Sequence, residues 1–156
     1  MQQYTLGLAF DLSRDHVLLI EKRRPLWQAG RWNGVGGHIE SGETPIECMV
    51  REFKEETGLE TSLSEWMPLC TLEGDTFKVH TFLTFTDAIH AAKSLTDELV
   101  FTHRLDLNEI ARSSVSNLPW LISLALDTDQ PRISLGAFYS HPQAVENTDK
   151  TKITHR

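Results

Sequence analysis

Residues 37–59, reading GHIESGETPIECMVREFKEETGL, constrain this chain more tightly than any other stretch. Glu52, Glu55 and Glu56 stand at spacings of three and four near the end of an expected helix, which puts their side chains on one face. Three like charges held together repel unless something neutralises them. The economical partner is a hard divalent cation with oxygen ligands, Mg²⁺ above all, with Mn²⁺ able to substitute because its ligand preferences overlap. A competing reading is a solvated acidic helix face. Two features weigh against it. Arg51 precedes Glu55 by four residues and can pair with it. The glycine-rich run Trp32-Asn33-Gly34-Val35-Gly36-Gly37 lies just upstream. A metal beside exposed backbone N–H groups is what phosphate chemistry requires.

The helix itself is well signalled. Thr44 suits the N-cap, Pro45 the first helical position, and Glu47 completes a T-x-x-E capping box. Ile46, Met49, Val50 and Phe53 form an apolar stripe roughly 120° around the helix from the carboxylates. One side can therefore be buried while another presents acid groups. Gly58 is placed to stop the helix.

Elsewhere, period-two patterns predict strands at 4–10 and 16–21, joined as a hairpin, and at 67–72, 77–85, 98–105 and 133–139. The segment 25–37, with four glycines and two tryptophans, reads as a loop. Residues 87–97 read as a loop with a helical turn near Ala91. Short helices are expected at 107–111 and 118–126. Strands mixed with helices imply an α/β (α+β) fold, sandwich-like in its layers, without fixing the topology. We expect one domain over residues 1–140 and a polar tail over 141–156.

The 156 residues carry a formal net charge of −7, which argues against binding a nucleic-acid polymer. A small nucleotide is not excluded, because bound metal can reverse the local sign. Cys48 and Cys70 show no CxxC pattern and are expected to be reduced thiols. No apolar run reaches membrane-spanning length and the N-terminus lacks signal-peptide character, so the expectation is a cytoplasmic protein with no membrane contact. Oligomeric state is open. No histidines stand at metal-ligand spacing, and none is given a role.

Gly37, Glu43, Arg51-Glu52-Phe53, Glu55-Glu56 and Gly58-Leu59 match every fixed position of the Nudix box, so the chain resembles the Nudix hydrolases. The resemblance implies a mixed β-sheet sandwiched between helices. It also implies hydrolysis of a phosphoanhydride bond in a nucleoside diphosphate linked to another group. Carried over by position, it makes Glu52, Glu55 and Glu56 metal-binding and catalytic, with the carbonyl of Gly36 or Gly37 as a further ligand. Glu43 and Arg51 then brace the helix. Which glutamate is the general base stays open. Glu98 resembles an extra metal-ligating, catalytic glutamate of MutT-type members; the alternative is an exposed charge at a strand end.

Substrate residues are less strongly marked. Arg23, in Lys22-Arg23-Arg24, stands where MutT-like enzymes contact phosphate, or simply marks the end of a strand. Asn117-Leu118-Pro119 resembles the N-x-P with which such enzymes read a purine. An amide can both donate to and accept from a base edge. The same asparagine would serve as a helix N-cap, and both roles are compatible. Trp120, with Trp27 and Trp32, could stack on a base or pack in the core. The marks of NADH pyrophosphatases and ADP-ribose hydrolases are missing. The expected substrate is therefore a (deoxy)nucleoside triphosphate, 8-oxo-dGTP among them, cleaved to monophosphate and pyrophosphate. The alternatives are nucleotide sugars, dinucleoside polyphosphates, or a non-catalytic nucleotide-binding regulator.

Overall fold

A computed structural model describes residues 1–127 and 135–138. Among these, strands β1 (Gln2–Phe10), β2 (His16–Glu21), β3 (Trp32–Asn33), β4 (Met67–Glu73), β5 (Phe77–Phe85), β6 (Leu99–Arg104) and β7 (Leu135–Phe138) form one mixed sheet. Its order is β3-β2-β1-β5-β4-β7, with β6 paired to β2. Helices α1 (Pro45–Thr57), α2 (Leu107–Ser113) and α3 (Leu118–Leu126) pack on it. The expected tail at 141–156 lies outside the described residues.

Alternation along the strands makes the layers. Leu6, Leu8 and Phe10 of β1, with Val17 and Leu19 of β2, pack against Ile110 of α2 and Leu118, Leu121 and Ile122 of α3. Their neighbours Ala9, Leu18 and Ile20 face the opposite way, onto Met49 and Phe53 of α1. Successive side chains of a strand point to opposite faces, so both faces of these central strands are apolar and both are covered. The expected sandwich is thus formed, with α1 on one side and α2 and α3 on the other.

The expected β1–β2 hairpin forms only at its turn. Ala9 pairs with Leu18 and Phe10 with Val17; beyond that the strands separate. β1 runs parallel to β5 along its whole length, from Gln2 against Phe77 to Phe10 against Phe85. β2 turns to β6 on one edge, and to β3 at its far end. The gap between β1 and β2 is filled by the glycine run. The Gly7 N–H donates to the Val35 carbonyl at 2.7 Å, Thr5 to Gly37 at 2.9 Å, and Ile39 to Gln3 at 2.9 Å. The segment read as a loop therefore contains β3 and then a run laced antiparallel onto β1. Gly and Pro content hid this, because the pairing partner is distant in sequence.

Helix α1 is built as its sequence signals. The Thr44 hydroxyl accepts the Glu47 N–H, and the Glu47 carboxylate accepts the Thr44 N–H at 2.8 Å. Gly58 ends the helix at φ 75°, a left-handed conformation that a side chain would strain, and its N–H donates to Lys54. Phe53 is fully buried, edge-on to Trp66 at 5.0 Å. Replacing Thr44 by Ala removes one half of the capping box and should cost about 1 kcal/mol. Urea denaturation should show a lower midpoint with an unchanged slope.

Candidate functional site

The helix stripe that packs on the sheet fixes the rotation of α1, and with it the direction of the acid face. Glu52 sits against the glycine run: a Cβ on Gly37 would crowd the Glu52 carboxylate and force it to shift. The stricter demand is at Gly36, where a Cβ would run into the backbone carbonyl of Thr5, so that close approach admits only glycine. Val35 and Gly37 point their carbonyls at β1, so in an antiparallel ladder the intervening Gly36 carbonyl points away from it. Of the two candidate carbonyl ligands, Gly37 is committed to Thr5 and Gly36 is not.

Arg51 holds the acid groups in place. Its guanidinium grips Glu43 with two bonds, at 2.7 and 2.9 Å. A third nitrogen lies 2.7 Å from Glu52 and 3.3 Å from Glu55, so these two carboxylates converge on one donor. Arg51 also donates to the His38 carbonyl at 3.1 Å, on the segment leading out of the glycine run. Glu56 accepts the Thr96 hydroxyl at 2.8 Å.

Electrostatics separates the glutamates. The bond from Arg51 holds Glu43 down to a pKa of about 2 despite its partial burial. Glu52 is shifted upward instead. Burial is the main cause, Arg51 opposes it, and the charges of Glu55 and Glu56 add to it. A carboxylate that is desolvated and repelled by two like charges is one that a cation would favour strongly. All the donors are oxygens, which suits a hard divalent ion. The residues therefore fit the metal that the box implies.

Glu98 is not the exposed strand-end charge of one reading. It is 4% exposed and precedes β6, which begins at Leu99. One oxygen accepts the N–H groups of Arg23 at 2.8 Å and Arg24 at 3.3 Å, and the other accepts Lys22 Nζ at 2.9 Å. Burial disfavours its charge, but these donors outweigh that and hold its pKa low. Here Glu98 anchors the 22–24 segment.

A cleft of about 500 Å³ opens beside this assembly. Gly36 and Gly37 line it, and Asn117 also faces it. Lys22 and Arg24 line it; Arg23 does not, being exposed with its Nε bound to the Asp97 carbonyl at 2.7 Å. Tyr4 and Leu6 of β1 and Phe77 and Val79 of β5 contribute apolar surface. Sequence reading missed these four. Their alternation marks a buried face but cannot show that part of that face is left uncovered by helix.

Asn117 precedes α3, yet its side chain makes no capping bond. The capping role is not taken up, and its amide is left at the cleft. Trp120 is 46% exposed on α3 and does not line the cleft. Trp32 packs edge-on to Phe101 at 5.1 Å, as a packing residue does. Trp27 lines the cleft.

A family model described as the NUDIX domain matches residues 3–120. The chain belongs to the NUDIX family. It is 48% identical over 56 residues to a Mus musculus protein named oxidized purine nucleoside triphosphate hydrolase, covering 36% of this chain and 34% of that one. It is 35% identical over 51 residues to the CTP pyrophosphohydrolase of Escherichia coli, covering 33% and 38%. The matched segments thus span little more than a third of these relatives. Among solved structures, the MutT protein of Bacillus halodurans superposes with a TM-score of 0.64 at 21% identity, covering 92% of both chains. That likeness supports the same fold for this NUDIX chain.

The Arg51–Glu43 pair gives a pH signature. Because the folded-state pKa of Glu43 lies below the ordinary value of 4.5, its contribution to stability is present above that value and lost as pH falls toward about 2. Thermal melts between pH 6 and pH 2 should show a steeper loss of Tm for the native chain than for Glu43→Gln, which should already be less stable at pH 6.

Proposed function

We propose that this NUDIX chain is a Mg²⁺-dependent pyrophosphohydrolase acting on a (deoxy)nucleoside triphosphate, with an oxidised purine such as 8-oxo-dGTP as the leading candidate. One observation carries the reading. Gly37 both lines the cleft and touches Glu52, while Asn117, whose side chain makes no capping bond to α3, faces the same cleft. A nucleotide laid in it would have its phosphates at the acid face and its base within reach of an amide. The likeness of one segment to a hydrolase of oxidised purine nucleotides supports that choice of base.

Glu52, Glu55, Glu56 and the Gly36 carbonyl would hold the cation. Bound there, Mg²⁺ neutralises phosphate oxygens and lowers the pKa of a coordinated water. Arg51 keeps Glu52 and Glu55 from splaying apart. One carboxylate of the set accepts the proton of the attacking water. The water oxygen bonds to phosphorus in line as the bridging P–O bond on the opposite side breaks, and the products are the monophosphate and pyrophosphate. Lys22 and Arg24, positioned by Glu98 and Asp97, supply positive charge along the cleft. The Asn117 amide reads the base edge, where one added donor or acceptor on an oxidised purine changes the pairing.

Assay of pyrophosphate release from a nucleotide panel with Mg²⁺ tests this directly. Glu55→Gln and Glu56→Gln should each lower kcat on the order of 10²-fold or more. No turnover of any nucleotide by the native chain would overturn the hydrolase reading, and full activity in both variants would overturn the metal assignment.

Asn117→Ala should reduce the preference for 8-oxo-dGTP over dGTP about tenfold in kcat/KM, with little change in Tm because no cap is lost. An unchanged ratio would remove Asn117 from base recognition.

A further inference from the structure

The far end of β1 carries a cluster that sequence spacing concealed. His16 and His90 are 74 positions apart, but both rings converge on Asp11. Asp11 is 4% exposed. Its Oδ1 accepts the N–H groups of Asp15 and His16, each at 3.0 Å, and so closes the β1–β2 turn. Its Oδ2 lies 2.8 Å from His16 Nδ1 and 3.2 Å from His90 Nε2. One ligand atom from each residue falls within 4.8 Å of the others. His90 comes from a 3₁₀ turn, Asp87–Ala91. That turn is tied to the hairpin through Leu12 N–H to Asp87 Oδ1 at 3.0 Å and Thr86 N–H to the Phe10 carbonyl at 2.8 Å. The two imidazoles are therefore delivered by separate, braced segments. Their side chains are 37% and 48% exposed, which leaves one side of the cluster open to water.

We propose that Asp11, His16 and His90 form a second metal site, for a divalent transition cation of the Zn²⁺ class. Two imidazoles and a carboxylate are the donors that suit Zn²⁺ and Co²⁺, whereas Mg²⁺ prefers oxygen alone. Three protein ligands with an open side leave the fourth position to water. Donor separations of 2.8 and 3.2 Å need only a slight widening to accept metal–nitrogen bonds of about 2.0–2.1 Å. On binding, His16 presents the Nδ1 lone pair and His90 the Nε2 lone pair. In each neutral ring the proton moves to the other nitrogen, and the carboxylate stays ionised. The site lies about 20 Å along β1 from Thr5, which holds the glycine run, so it is separate from the acid face of α1. Its effect is to staple the hairpin turn to the 3₁₀ segment.

The test uses the full chain in excess Mg²⁺, which occupies the glutamate face, with Co²⁺ titrated as the probe. Expected are visible ligand-field bands saturating at one equivalent, and a Tm raised by micromolar Zn²⁺. His16→Gln and His90→Gln should each weaken Co²⁺ binding 10- to 100-fold while leaving Mg²⁺-dependent turnover unchanged. Independently of any variant, Zn²⁺ should shift the His16 Nδ1 and His90 Nε2 resonances of the native chain. Absence of bands and of any Tm change at tens of micromolar metal would overturn the proposal. So would Co²⁺ binding of unaltered strength in both variants, or Zn²⁺ shifts confined to the glutamate face.

Discussion

The guanidinium of Arg51 is the interaction on which the arrangement of the acid face depends. One side chain grips Glu43 with two bonds, reaches Glu52 and Glu55 with another nitrogen, and donates to the His38 carbonyl. It thereby joins the turn before α1, the face of α1 and the exit of the glycine run. A planar fork with five donors can do this; a lysine ammonium cannot hold two carboxylates in fixed relative orientation. Partly buried ion pairs are modest contributors to stability, because desolvation offsets attraction. Their value here is positional.

The second constraint is the opening of the β1–β2 hairpin. Were the strands paired along their length, no room would remain for residues 35–37 beside β1. Because β2 leaves for β6 and β3, β1 offers its free edge to the glycine run. Gly37 then lies where Glu52 packs on it, and the Gly36 carbonyl turns away from the ladder. Glu98 secures the other side by binding Lys22 and the backbone of Arg23 and Arg24. Neither constraint works alone, since one orients the acids and the other brings the backbone to them.

Much was legible in local pattern. The limits of α1 followed from Thr44, Pro45, Glu47 and Gly58, each of which acts on the few residues beside it. Strands at 16–21 and 77–85 and the helix at 118–126 were readable because one side chain in two, or one face in a helix, meets a core. The short β3 was not readable, because two residues have no periodicity. The surroundings of Glu98 were not readable, and an exposed strand-end charge stayed open beside a ligand role, because burial of an acid depends on donors that arrive from 22–24. For Asn117 a cap and a base contact were both open, and only the structure shows that the side chain makes no capping bond.

The sequence by itself determined the box helix, its buried and acidic faces, and the donors offered to a divalent cation, since these depend on residues within a few turns of one another. Tertiary structure decided which glycine carbonyl stays uncommitted, which residues share a cleft with Asn117, and that His16 and His90 meet at Asp11. Those outcomes rest on strand pairings between distant segments, and such pairings are selected by the whole core rather than by any local run of residues.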